Sequence, residues 1–255
     1  MKNITLISDW KLRDPYVSIF KGALISKISD VQIFDITHAV EMFMIDQAAF
    51  IIRTSYNHFP KGTLHIILAG NSFSKTSKPV LLHFDNHWFL GEDNGVFNIL
   101  VGDRVDYSIY QYSDEQLIPS TEKMAQMAQW YFNGEIALHT TEIFNLKPAR
   151  VTLPLFSEEE KLIRGKIVYI DSYCNAITNI PNDMFLEAYS GSFIATVSST
   201  KHIRITKKHD FYNPNEDEVY LLLNRIGYIE ITLFQSPIAI LGGLKVNDNI
   251  EIQFT

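Results

Sequence analysis

Apolar residues recur along this chain at two different spacings, and the change from one to the other divides it. Ile4 to Ser8 is a short β-rich run closed by Asp9. Behind Asp14-Pro15, the residues Val17, Phe20, Leu24 and Ile28 follow the spacing of one helix face, which predicts an amphipathic helix over residues 15–29. Asp14 reads as its N-cap, with proline at the first helical position. Val31 to Ile36 predicts a second strand, and Asp46 to His58 a second helix closed by Phe59-Pro60-Lys61-Gly62. Thr63 to Ala69 predicts a third, strongly apolar strand. Strand–helix–strand–helix–strand order implies a mostly parallel sheet with helices packed on it. Residues 79–84 and 87–90 flank Asp85-Asn86 as a hairpin. A strand over 105–110 and a helix over 121–132, ending at Asn133-Gly134, complete this half.

The pattern then shifts. Pro148, Pro154 and Glu158-Glu159-Glu160 mark a linker over residues 148–163, between an α/β domain at 1–147 and a second domain at 164–255. From Gly165 onward short strands alternate with turns, at 165–171, 192–197, 218–223, 227–233 and 249–254. Closely spaced strands of this kind predict an all-β domain, a small barrel or sandwich.

Composition narrows the function. The formal net charge of -7 lacks the basic footprint of a nucleic-acid binder. A single cysteine, Cys174, forbids an internal disulfide and points to a reducing, cytoplasmic compartment. The opening apolar stretch is too short for a signal peptide, and no run reaches the ~18 apolar residues of a membrane span. No phosphate-binding glycine loop, serine nucleophile elbow or zinc-spaced cysteine pair is present. His83, Asp85 and His87 alternate around the hairpin as a conceivable metal set; surface histidines at a turn are commoner, and no metal is expected.

Six segments occur in an order that resembles the S-adenosylmethionine hydroxide adenosyltransferase and fluorinase/chlorinase family. They are Ser8-Asp9-Trp10 with Asp14-Pro15-Tyr16-Val17 and Lys21-Gly22; Asp35-Ile36-Thr37-His38; Phe59 to His65; Asp93-Asn94-Gly95; Asp171-Ser172-Tyr173-Cys174-Asn175 with Thr178-Asn179-Ile180; and Gly227 to Ile231. The resemblance implies an N-terminal α/β domain, a C-terminal β-barrel and a homotrimer. It places the ligand between the first domain of one subunit and the second of its neighbour. It implies attack on the ribose 5′ carbon of S-adenosylmethionine, with methionine leaving and no cofactor. The nucleophile is water in the larger branch and halide in the smaller.

On that resemblance Asp9, at the carboxyl edge of the sheet, accepts hydrogen bonds from the ribose hydroxyls; a turn or capping role is the alternative. Asp14 either meets the amino-acid part of the ligand or caps its helix. Phe43 either faces the sulfonium, worth ~0.5–2 kcal/mol, or packs in the core. Asn175 offers donor and acceptor to the adenine edge, with Asp171 and Tyr173 shaping that wall. Cys174 replaces the family's usual glycine as a buried inert thiol or a crowding group. Arg225, beside Asn224, is a candidate for the methionine carboxylate. It is offset by one from the halide-branch arginine, where Ile226 sits, and in a strand such a shift reverses the facing. Asp35 and His38 are taken as structural.

The water-activating Asp, Arg and His of the larger branch are all substituted. Gly70 stands at the Asp position, Ser77 near the Arg position with Lys78 next, and Lys123 at the His position. Ser72, Ser74 and Thr76 offer hydroxyls for an anion nest, and Lys75, Lys78 or Lys123 a replacement charge, against a solvated loop for each. Three functions remain open: hydrolysis of S-adenosylmethionine, non-catalytic nucleoside binding, and a structural trimer whose site has decayed.

Overall fold

The structure is a computed structural model that describes residues 2–72, 74–149, 153–199 and 201–255. The chain divides into two compact units, Met1–Arg150 and Val151–Thr255.

The first unit opens with β1 (Lys2–Ser8), α1 (Tyr16–Lys27), β2 (Val31–Thr37), α2 (Ile45–Arg53) and β3 (Leu64–Leu68). It continues with β4 (Val80–Phe84), β5 (His87–Gly91), α3 (Val96–Val101) and β6 (Tyr107–Tyr112), then α4 (Ser120–Asn133), α5 (Ile136–His139) and β7 (Thr140–Ile143). The sheet order is β2-β1-β3-β5-β4-β6-β7. β2, β1, β3 and β5 are parallel neighbours, and the β4, β6 and β7 pairings are antiparallel. Strand alternation splits the apolar residues between two faces. Ile4, Leu6, Ile66 and Leu90 pack with Phe20 and Leu24 of α1 and Met124 and Met127 of α4. Ile7, Ile67 and Phe89 pack with Ala48 and Ile52 of α2 and Phe97 of α3. The expected α/β layering is therefore present.

Local chemistry adjusts several boundaries. Asp14 does not cap α1: Pro15 holds the N-cap position, no side chain caps it, and Pro15 O accepts the Ile19 N–H. The helix read over 46–58 stops at Arg53, with a 3₁₀ turn at Tyr56–His58. The Thr54 and Ser55 hydroxyls donate to carbonyls of residues 50–52 and so compete with the helical ladder. The β4–β5 hairpin turns on Asp85 and Asn86, both at positive φ (51° and 60°), as its two-residue loop requires.

The second unit contains β8 (Leu155–Ser157), β9 (Leu162–Ile170), β10 (Ala176–Pro181), α6 (Asn182–Ala188), β11 (Phe193–Val197), β12 (Ile203–Ile205) and β13 (Lys208–His209). β14 (Tyr220–Leu223), β15 (Tyr228–Thr232), α7 (Ile238–Gly242) and β16 (Asn249–Phe254) follow. Its strands run in the order β12-β11-β16-β9-β10-β15-β14-β13, with β8 beside β9. The sheet curls into a half-barrel. Ile163, Ala176, Ala195, Leu221, Ile231 and Ile252, from six strands along that path, share one buried core with Phe185 of α6. Part of the segment read as linker is strand: Leu155–Ser157 pairs antiparallel with β9, while residues 150–152 lie outside the described residues. Among the described residues no helix is long and apolar enough to cross a membrane.

Candidate functional site

Parallel β1, β3 and β5 end at the same side of the first sheet, where open α/β sheets bind ligands. Asp9 follows β1 directly. Its Oδ2 accepts the backbone N–H groups of Phe43 and Gly70, both at 3.0 Å. One carboxylate oxygen thus ties the ends of β1 and β3 to the loop before α2. Phe43 is 73% exposed and sits at φ 64°, a costly conformation for a bulky residue. Core packing of Phe43 is excluded. Asp14 is exposed and carries neither cap nor contact that fixes its role.

Behind this edge, Lys21 Nζ lies 2.6 Å from Asp35 Oδ2, His38 Nε2 lies 3.1 Å from Asp35 Oδ1, and His38 Nδ1 meets Ser8 Oγ at 2.7 Å. Burial alone raises the Asp35 carboxyl, but hydrogen bonds and charge from Lys21 and His38 outweigh it and hold it below the usual range. The chain joins α1, β2 and β1, a scaffolding role for Asp35 and His38.

The loop after β3 carries Gly70 and Ser77, two of the three positions that the sequence reading took as substituted. Gly70 has φ +66°, and a Cβ there would lie 2.7 Å from Ile45 Cγ2 and 3.1 Å from Asn94 Nδ2. Asn94 Nδ2 donates to the Ala69 and Gly70 carbonyls, and its Oδ1 accepts the Val96 N–H. The Asp93-Asn94-Gly95 segment therefore clamps the ends of β3 and β5 together. The Ser72 N–H and hydroxyl both donate to Glu92 Oε2 at 2.9 Å, and Ser74 Oγ meets Thr76 Oγ1 at 2.7 Å. An anion nest at Ser72 is overturned, because a carboxylate of the protein already takes both donors. Phe73 lies outside the described residues.

Lys123 is not solvated. It is 2% exposed, and its Nζ donates to the Lys75 and Ser77 carbonyls at 2.7 and 2.8 Å. Burial lowers its pKa, as does Lys78, against the pull of Asp114 and Glu92. Lys123 thus pins the loop after β3 to α4. Lys75 and Lys78 are exposed.

A cavity of about 410 Å³ opens among Gly70, Ser72, Ser77, Glu92, Asn94 and Lys147, with further loop residues at its rim. Its lining is polar, and several buried atoms around it lack a hydrogen-bond partner among the described residues. These are Glu92 Oε1, Asp93 Oδ1 and both amide atoms of Asn71. Burial raises the Asp93 carboxyl, although the Lys147 N–H at 2.9 Å opposes this. Glu92 escaped the sequence reading. The available signal was a second carboxylate directly preceding Asp93-Asn94-Gly95.

In the second unit Asp171 organises a tight turn. Its Oδ1 accepts the Tyr173 and Asn175 N–H groups, and its carbonyl accepts that of Cys174. Cys174 holds φ 62°, which gives the physical reason a glycine suits this position. Its thiol is partly buried against the half-barrel core rather than fully enclosed. Tyr173 is 81% exposed. Asn175 is buried; its Oδ1 accepts the Thr232 hydroxyl at 2.7 Å and its Nδ2 donates to Asp171 Oδ2 at 3.3 Å. Buried Glu230 accepts from Tyr212 and Asn224. Burial holds its carboxyl above the usual range, with a smaller push from Asp171. Arg225 and Ile226 are exposed in the β14–β15 turn, not in a strand, so strand alternation does not decide which way Arg225 faces.

The hairpin histidines diverge. His83 stacks on Trp88, while His87 turns inward to His65 at 3.1 Å. Among the described residues no cluster of metal-binding side chains forms.

A family model of the S-adenosylmethionine hydroxide adenosyltransferase N-terminal domain matches residues 4–142, and one of the C-terminal domain matches residues 165–251. An (R)-S-adenosyl-L-methionine hydrolase of Methanocaldococcus jannaschii is 22% identical, over 98% of this chain and 95% of its own. The enzyme of the same name from Thermus thermophilus is also 22% identical, over 96% and 97%. An uncharacterized conserved protein from Thermotoga maritima shares the fold with a TM-score of 0.86 at 20% identity, over 98% of this chain and 99% of that one. A conserved hypothetical protein from Thermus thermophilus does so with a TM-score of 0.74 at 18% identity, over 99% and 100%. Both halves being matched in order, the chain belongs to the S-adenosylmethionine hydroxide adenosyltransferase family.

Proposed function

We propose that this protein binds S-adenosylmethionine and splits it with water into adenosine and methionine, by attack at the ribose 5′ carbon. The observation that carries the reading is the Asp9 carboxylate, fixed through Oδ2 by two backbone N–H groups, one of them from Gly70, which lines a polar cavity. Held this way, its Oδ1 is oriented to accept from ribose hydroxyls. Exposed Phe43 supplies an aromatic face for the sulfonium, and Asp14 meets the amino-acid end. Asp171, Tyr173 and Asn175 form the adenine wall, and Arg225 receives the methionine carboxylate. In this reading the protein is a cytoplasmic homotrimer, and the ligand lies between the first unit of one subunit and the second of the next. Water is favoured over halide because Glu92 occupies the Ser72 donors and its charge repels an anion.

Purified protein incubated with S-adenosylmethionine is expected to release adenosine above the spontaneous rate, and Asp9→Asn to weaken binding about tenfold or more. A day at high protein concentration without adenosine ends the hydrolytic reading. A second reading, a non-catalytic nucleoside binder, is favoured by the fate of the substituted positions: Gly70 has no room for a side chain and Lys123 is spent on carbonyls. Calorimetry showing tight binding without turnover would select it.

A further inference from the structure

We propose that Glu92 is the water-activating base of this chain, taking over at the end of β5 the task that the family assigns to a carboxylate at the Gly70 position. The inference rests on the hydrolytic reading above.

The geometry explains why the carboxylate moved. Gly70 is left-handed, and a Cβ there would collide with Ile45, so the end of β3 has no place for an acid. β5 is the parallel neighbour of β3, and Glu92 follows its last residue. The two strand ends are joined through Asn94, which holds the Gly70 carbonyl while the Gly70 N–H holds Asp9. Glu92 and Gly70 line the same cavity.

The two oxygens of Glu92 have different surroundings. Oε2 receives both Ser72 donors, which fix the orientation of the carboxylate. Oε1 is buried without a partner among the described residues, although Glu92 is only 7% exposed. A buried carboxylate oxygen left without a donor is destabilising, and such groups gather where function requires them. A water in the cavity repays it by donating one hydrogen to Oε1. As the water oxygen bonds to the 5′ carbon, the carbon–sulfur bond breaks and its electron pair stays on sulfur as neutral methionine thioether. The water proton passes to Oε1 and then to solvent. Substrate and water become adenosine, methionine and one proton, with no further reactant. Lys123 keeps the loop that carries Ser72 in place through the Lys75 and Ser77 carbonyls, and is a positioning residue.

The test compares full-length wild type with Glu92→Gln, which keeps an oxygen to accept from Ser72 but cannot take a proton. Single-turnover cleavage is followed at one fixed pH, and S-adenosylmethionine binding by calorimetry. The variant is expected to lose about 100-fold or more in rate and to bind within about threefold of wild type. Glu92→Asp, shorter by one methylene, is expected to lose about tenfold. A Glu92→Gln rate within about fivefold of wild type overturns the proposal, as does a Glu92→Asp rate equal to wild type if Glu92→Gln fails to fold. Wild type that binds without cleaving also overturns it while leaving the binder reading intact. Wild type that does not bind sinks the parent function as well.

Discussion

Two buried asparagines separate the halves of this molecule. Asn175, 4% exposed, accepts the Thr232 hydroxyl and donates to Asp171. Asn71, 6% exposed, has neither amide atom partnered among the described residues. Residue type and burial are the same, and the bonding is opposite. The polar groups around Asp171, Asn175 and Glu230 close on one another. Those behind β3 and β5 do not, since Glu92 Oε1 and Asp93 Oδ1 share the condition of Asn71. Each unmet buried group costs about 1–3 kcal/mol. The Asp171–Asn175 turn finishes its polar bonding by folding, although Asn182 Oδ1 elsewhere in the second unit has no partner among the described residues. The first unit keeps an unfinished cluster at the sheet edge where open α/β sheets bind ligands.

The comparison is broken most forcefully at Gly70. Gly70→Asp, the carboxylate that the sequence resemblance implies for this position, puts a side chain on a φ of +66° and into Ile45. The expected cost is about 2–4 kcal/mol, combining backbone strain and overpacking. Hydrolysis should fall, not rise, even with Ser77→Arg and Lys123→His added. Thermal unfolding followed by tryptophan fluorescence reads the first unit alone, because Trp10, Trp88 and Trp130 all lie in it. A Gly70→Asp protein as stable as wild type would show that the loop is free to re-form around an acid.

Asn175→Ala is the next largest test. It leaves the Thr232 hydroxyl and Asp171 Oδ2 without their partner inside a packed unit, at about 1–3 kcal/mol. Circular dichroism should report the loss while the tryptophan transition stays in place. An unchanged stability would mean that the cluster is not closed.

A pH titration sharpens the contrast with a third, fully closed network. Thr5 Oγ1 meets His65 Nδ1 at 2.7 Å, and His65 Nε2 meets His87 at 3.1 Å. Burial, with His87 nearby, lowers the His65 pKa to about 3. The folded value lies below the unfolded one, so the unfolded chain binds the proton first. Stability is complete above about pH 6.5 and is lost toward pH 3, at a limiting slope of about 1.4 kcal/mol per pH unit. Glu230 runs the other way: burial raises its pKa, so the stability it contributes is lost as pH rises. Denaturant midpoints of the tryptophan transition at pH 7 and pH 5 check the first sign, and His65→Gln should flatten the slope.

Much of the fold was legible because apolar spacing reports burial directly. The β1–α1–β2–α2–β3 order and the Asp85-Asn86 hairpin follow from it. Short elements escaped. β7 is four residues at a sheet edge, α3 is six residues behind left-handed Gly95, and β10 runs into Pro181. Asp9 was legible as a strand-end carboxylate, because the apolar run of β1 stops directly before it. Lys123 was misread because its charge suggested solvent. Yet Ser120, Lys123, Met124, Met127 and Ala128 form the buried stripe of α4 at helical spacing, and that position was available to read. The bonding of Glu92 depends on Ser72 reaching across from another strand end, which no local pattern encodes.

The smallest expected effect decides the comparison most directly. Asn71→Leu removes a buried amide that no described residue pairs with and fills its space with an apolar side chain of similar size. Replacing a polar group whose bonds are unmade forfeits no hydrogen bond and relieves the cost of keeping it dry. The tryptophan transition should therefore move by no more than about 0.5 kcal/mol, or toward greater stability. If it fell by the amount expected for Asn175→Ala, Asn71 would be bonded after all. The first unit would then close its polar groups at this edge as the Asp171–Asn175 turn does, and the reason to look for chemistry there would weaken.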